Sequence, residues 1–197
     1  LAHYEPGTVV INLTKNKGAG SIAHEWFHAL DNYFGKGKRA QGDVYASEGA
    51  ADFHRSRLLP GRDEMKNAFH NLMKTIKNST KMEERGKARD AARSKPYWST
   101  DLEIAARSFE SYIIAKLSDA GINNDYVANI VSEEAYQIEE EDDYPYLRKN
   151  EIESVKYAFD GLFSAIQQEK TDKGIMLYSF EYLVADYAAK GLKEAAK

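Results

Sequence analysis

His24-Glu25-Trp26-Phe27-His28 places two imidazoles four residues apart with a carboxylate beside the first. On a helix, positions i and i+4 share a face, so the two rings can grip one metal ion. Glu25 lies about 100° round the helix from His24. That is near enough to take a proton from a water the metal has acidified, as that water attacks a carbonyl. Asp31 follows three residues after His28 and projects from the same face. A carboxylate there can hydrogen-bond the non-ligating nitrogen of a histidine.

A catalytic zinc site needs a third protein ligand and an open position. Two carboxylates compete for that role on spacing alone. Glu48 comes twenty residues after His28, with Asp52 one turn later, a pattern that resembles thermolysin-like enzymes. Glu103 sits in a stronger helical pattern, with Arg107 and Glu110 at i+4 and i+7. With Thr100 as N-cap, however, Glu103 also occupies the capping-box position, where a carboxylate can be used purely to close a helix start. Spacing leaves both open. His3, His54 and His70 have no partner spacing, and His70 reads as the flank of a helical stripe.

The elements that must position these groups follow from periodicity. Thr8 to Leu13 is β-branched, bounded by Pro6-Gly7 and by a Lys/Asn/Gly run, and reads as a strand. Ser21 can cap a helix running to about Phe34 and stopping at Gly35 and Gly37, with a polar loop to Ala46. Met65, Ala68, Phe69, Leu72, Met73 and Ile76 repeat at three and four, one buried helix face. Lys81 to Ser94 has few large apolar residues and reads as solvated. Across Arg62 to Lys95 ten Lys/Arg face five Asp/Glu, which reads as a solvated helical hairpin.

After the break at Lys95-Pro96, a helix is predicted from about Thr100 to Ser118 and another from Asp125 to Tyr136. Glu133 to Asp143 carries seven acids and no base, so it should be an exposed loop. Asn150 with Glu153 reads as a capping box, opening a helix whose buried stripe is Ile152, Val155, Phe159, Leu162, Phe163 and Ile166. Thr171 to Gly174 is a turn, and the tail beyond it reads as amphipathic. The expected division is a domain over 1–170 and a helical extension over 171–197.

The chain has 197 residues, 27 Lys+Arg, 31 Asp+Glu and no cysteine. That length suits one domain with an appendage. The lack of cysteine excludes disulfides, thiolate zinc sites and cysteine nucleophiles, and fits a reducing compartment. A formal charge of −4 argues against a general nucleic-acid binder. No apolar run approaches the roughly 20 residues of a membrane helix. The start has neither the basic residues nor the apolar stretch of a signal peptide, and no Met, so a piece of something longer is expected.

Ala2 to Phe34, AHYEPGTVVINLTKNKGAGSIAHEWFHALDNYF, resembles the zincin-type domain associated with large polyvalent proteins of bacteriophages and conjugative elements. So do Arg93 to Ile113, RSKPYWSTDLEIAARSFESYI, and the later YPY and AFDGLF stretches. The helix with the two histidines and the helix at Glu103 are also similar to those of the anthrax lethal factor. Both resemblances imply Glu103 as third ligand. Gluzincins often carry an acid one turn after that ligand, and here the residue is Arg107. A guanidinium accepts no hydrogen bond, so Asp31 or Glu110 must serve the histidines, and Glu110 stays open as an alternative ligand.

The resemblance further implies an α+β, predominantly helical fold with a small sheet beside the active-site helix. It implies Zn2+ held by His24, His28 and Glu103, with Glu25 as general base. Tyr97, six residues before Glu103, corresponds to a tyrosine in a similar place in the lethal factor. It is expected to stabilise the oxyanion; otherwise Tyr97 and Trp98 are an aromatic plug. The expected activity is cleavage of peptide bonds in a protein or peptide substrate, bound by addition of a strand. The expected location is the bacterial cytoplasm, with delivery into a recipient or host cell as part of a larger protein. The rival reading is a zinc-bound scaffold that acts as a non-catalytic interaction module.

Overall fold

In a computed structural model of the chain, the described residues are 2–14, 18–35, 44–52, 54, 63–136, 142–172 and 174–179. They form β1 (His3–Glu5), β2 (Val10–Asn12), α1 (Ile22–Gly35), α2 (Asp63–Ser79), α3 (Met82–Asp90), α4 (Asp101–Asp119), α5 (Ile152–Ser164), β3 (Ile166–Thr171) and β4 (Gly174–Ser179). The architecture is mixed α/β and mostly helical. β1 and β2 make one antiparallel pair, with Tyr4 opposite Ile11, and β3 and β4 make another, with Gln168 opposite Leu177.

The core forms where α1 packs on α4 and α2 packs on α5, with α4 and α5 also in contact. α1 gives Phe27 and Leu30, α2 gives Met65, Phe69, Leu72, Met73 and Ile76, α4 gives Ile104 and Phe109, and α5 gives Val155, Phe159 and Leu162. Phe27, Phe109 and Phe159 meet with centroids 5.1 to 5.6 Å apart, an aromatic contact that joins three helices. The small sheet lies beside α1, as expected: the Tyr4 hydroxyl donates to Asn32 Oδ1 at 3.1 Å.

Several expectations are corrected. The first strand is shorter than Thr8 to Leu13, because Thr8 and Val9 belong to the turn that returns the chain onto β1. Asp125 to Tyr136 is not a helix. Its backbone is engaged by α1 and the turn before it: Gly20 N–H donates to Tyr126 O at 2.8 Å, Ala23 N–H to Val127 O at 2.9 Å, and Asn129 N–H to Gly20 O at 3.1 Å. First-turn amides of a helix lack partners within it, and here a strap supplies one. Gly20 permits the approach, with φ +85° and a position whose Cβ would stand 2.6 Å from that of Asn129.

α5 starts one residue after Glu151, and no Asn150–Glu153 capping box forms. The Glu151 carboxylate instead accepts Lys81 N–H and Arg148 N–H, both at 2.9 Å, and pairs with Arg85. Ile166 begins a strand rather than ending the helical stripe. The expected helical extension likewise starts differently: Gly174–Ser179 is β4, while 180–197 lies outside the described residues. The turn before it holds, joining Thr171 to Gly174.

The acidic run is partly neutralised at its described ends. Glu133 and Asp142 pair with Arg148, Glu134 with Lys149 and Asp143 with Arg89; residues 137–141 lie outside the description.

Candidate metal centre

The site is built from α1 and from the start of α4. α1 turns His24 and His28 toward α4, with Glu25 buried beside His24, all on its first two turns. α4 is capped by Thr100, whose side chain accepts Glu103 N–H at 3.4 Å. The reciprocal half of the capping box is absent, because Thr100 N–H donates to Tyr97 O at 3.3 Å. The Glu103 carboxylate is therefore free of capping and faces the histidines.

His24 Nε2 lies 3.0 Å from His28 Nε2 and 3.4 Å from Glu103 Oε2, and His28 Nε2 lies 3.6 Å from Glu103 Oε1. The two rings are nearly perpendicular, at 87°. A tetrahedral ion with bonds of about 2.1 Å holds its ligand atoms about 3.4 Å apart. Two imidazoles and a carboxylate at these separations fit such an ion in donor type and in spacing. Among the described residues, His24, His28 and Glu103 form the group that can hold a metal, their ligand atoms all within 4.8 Å of one another.

The surroundings orient that group. His24 Nδ1–H donates to Glu110 Oε2 at 3.0 Å. A carboxylate on Nδ1 fixes the tautomer and leaves Nε2 for the metal, so Glu110 orients a histidine while Glu103 takes the ligand position. Burial disfavours the His24 imidazolium, but the bonds and charge of Glu103 and Glu110 outweigh it and raise the ring to about 10.

Asp31 does not serve the histidines as expected. It is fully buried and accepts Ser47 N–H at 2.8 Å and Ser47 Oγ–H at 2.5 Å, so it holds the 44–50 loop against α1. Burial pushes its carboxyl up to about 7 against the pull of those donors. His28 Nδ1 is buried with no hydrogen-bond partner among the described residues.

Glu48 is not brought to the centre: its Oε2 accepts Tyr45 N–H at 3.4 Å within its own loop. The same loop is held on its far side by Asp101, which accepts Gly49 N–H at 2.9 Å and pairs with Lys77 at 2.7 Å. The His70 ring meets Ala50 O at 2.9 Å, a flank role as its sequence position suggests.

Tyr97 stands in the break before α4, near enough for Glu103 and Glu25 to act on its hydroxyl. Burial first, then the charge and hydrogen bonding of Glu103, with Glu25 adding, push its hydroxyl well above the usual phenol range. The phenol therefore keeps its proton. Its backbone is fixed by Asp90, a residue that sequence reasoning passed over. The Asp90 carboxylate accepts N–H from Tyr97, Trp98 and Ser99 at 2.9 to 3.1 Å and the Ser99 hydroxyl at 2.8 Å. Burial opposes the Asp90 charge, but these donors hold its pKa down at about 2. Gly86 on α3 lets this loop pass, since a Cβ there would stand 2.6 Å from Trp98 O.

Residues 89–170 match the family model for large polyvalent protein-associated domain 1. The match associates this segment, which includes Glu103 and Glu110, with large polyvalent proteins. No curated protein and no solved structure matches the chain. No helix among the described residues is long and apolar enough to cross a membrane.

Proposed function

We propose that the chain is a zinc-dependent metallopeptidase domain of gluzincin type, acting on peptide bonds within a mobile-element polyvalent protein. The observation that carries this reading is the mutual spacing of His24 Nε2, His28 Nε2 and a Glu103 oxygen, 3.0 to 3.6 Å. His24, His28 and Glu103 would hold the ion, which supplies Lewis acidity when bound. Glu25 takes a proton from the attacking water and returns it to the leaving nitrogen. Tyr97, kept protonated, donates to the oxygen on which negative charge develops. Glu110 holds His24 in the ligating tautomer. The substrate is a protein or peptide, and the proposed location is cytoplasmic, with delivery as part of a larger protein.

The test is metal content. Protein purified without added metal or chelator is expected to carry about one zinc per chain by elemental analysis. Below pH 10 the carboxylates keep a proton on His24 that zinc must displace. Uptake at neutral pH should therefore release about one proton, and affinity should climb as pH rises toward that value. Calorimetry in buffers of different ionisation enthalpy reads the proton directly. A stoichiometry near zero that added zinc does not restore defeats the reading; a binding heat independent of buffer defeats the His24 assignment alone.

The third ligand is tested separately. Glu103→Ala is expected to weaken zinc by more than the roughly 10–100-fold typical of outer-shell changes, while Glu48→Ala leaves it nearly unchanged. Competition against a chromophoric chelator measures both. Loss of zinc in Glu48→Ala with retention in Glu103→Ala reverses the assignment.

A further inference from the structure

Arg107 is 3% exposed, and a charge so buried needs a purpose. It stands one helical turn after Glu103 on α4. Its Nη1 donates to Glu103 Oε2 at 3.1 Å, and its Nη2 donates to the carbonyl of Trp98. The guanidinium also lies 4.8 Å from the Trp98 ring centroid and 5.9 Å from that of Tyr97. Arg89 also lies over the Trp98 ring, 4.2 Å from its centroid. Nε of Arg107 finds no hydrogen-bond partner among the described residues.

That incomplete pairing matters. A buried cation with an unused donor is a poor way to gain stability, and an apolar side chain of similar volume often does better. What an apolar side chain cannot do is hold two acceptors at a fixed separation. The planar fork of Arg can. Here its two arms reach the carboxylate of one element and the backbone of the loop that carries Tyr97.

We propose that Arg107 is a positioning residue that sets Glu103 and the Tyr97 loop as one rigid unit. One guanidinium aims the carboxylate at the metal position and fixes the backbone next to the oxyanion donor. It also offsets the charge of one of the two carboxylates, Glu103 and Glu110, that stand against His24. The inference rests on the zinc reading given above.

Lys and Met variants separate the two arms. Lys keeps the charge and one donor but cannot span both acceptors, whereas Met keeps the volume and neither donor. Zinc affinity is measured for each by chelator competition, with thermal unfolding of the metal-free proteins alongside. Arg107→Met is expected to bind zinc about 10–100-fold more weakly than the parent, with Arg107→Lys recovering most of that loss. A peptide that coordinates through a terminal hydroxamate then probes the loop. Its affinity for the zinc-loaded Lys variant should fall, since Asp90 still holds the loop amides but the Trp98 carbonyl loses its tie to α4; unchanged affinity means that Arg107 does not set the loop, and the proposal fails.

If both variants bind zinc as the parent does, Arg107 does not position Glu103 and the proposal fails. It also fails if Lys and Met lose zinc equally, because that is what a merely structural role gives. If the parent binds no zinc, the functional reading fails and takes this inference with it. Should Arg107→Met not fold, Arg107→Gln replaces it, keeping a neutral donor without the charge, and it is expected to bind zinc more weakly than Arg107→Lys.

Discussion

Glu25→Gln is expected to keep the zinc and the fold and to slow hydrolysis by about a hundred- to ten-thousand-fold, the usual contribution of a positioned general base. Gln reproduces the shape of Glu, and Glu25 is only 7% exposed, so an isosteric change there protects the packing of α1. No metal ligand is altered, so zinc affinity should move little. What disappears is the ability to accept a proton from water. The assay first needs a substrate, found by incubating the zinc-loaded protein with cell lysate and identifying cleaved products. Parent and variant are then compared at equal zinc content. Equal rates would remove Glu25 from the chemistry. Zinc in both proteins with turnover in neither would instead favour an interaction module on the same scaffold.

The second large effect concerns the fold. Arg85→Ala is expected to destabilise the protein by about 3–5 kcal/mol, the range for leaving one partner of a buried ion pair alone. Arg85 is 2% exposed and Glu151 6%. Their bidentate pair, at 2.7 and 2.9 Å, is joined by Arg85 Nε–H to Tyr144 O at 2.8 Å and Nη2–H to Tyr146 O at 2.9 Å. One guanidinium thus binds α3, the 144–148 segment and the cap of α5. Urea unfolding at fixed zinc reads the loss. Lys87→Ala is the control, since the Lys87–Glu83 pair is solvent-exposed and worth only about 0.3–0.5 kcal/mol. Combining Arg85→Met with Glu151→Leu should recover part of the loss, because no buried charge is then left unpaired. A loss below about 1 kcal/mol for Arg85→Ala, within the range of exposed pairs, refutes the argument.

The stripes at Met65–Ile76 and Val155–Leu162 were legible because a helix against a core repeats its apolar residues at three and four. α1 and its two histidines were legible for the same reason, with Ser21 and the glycines as punctuation. β1 was not: three residues hold no period. β3 reads as polar because a two-stranded hairpin has little apolar surface to bury, although its turn was plain. The segment at 125–136 was misread because its backbone partners lie in α1, far away in sequence.

At the centre, spacing could place Glu103 and Glu48 equally well. Only the fold separates them, by turning one carboxylate to the histidines and the other back on Tyr45 N–H. Asp31 shows the limit of facial arguments. Being on the histidine face did not make it a histidine partner, since two donors from Ser47 were closer. Asp90 carried no signal at all, because its role is to hold backbone amides, which every sequence has.

His24 and His28 stand on α1 and Glu103 on α4, two helices that α2 and α3 separate in the sequence. Heredity inherits that separation. In a recombining lineage, a crossover between residues 36 and 88 would hand one descendant both imidazoles and the other the acid. A crossover at residue 89, where the matched segment begins, would also part Arg85 from Glu151. The His24–His28–Glu103 group and the Arg85–Glu151 pair are passed on intact only when residues 24–151 travel as one block, which starts well before the segment that the family model matches.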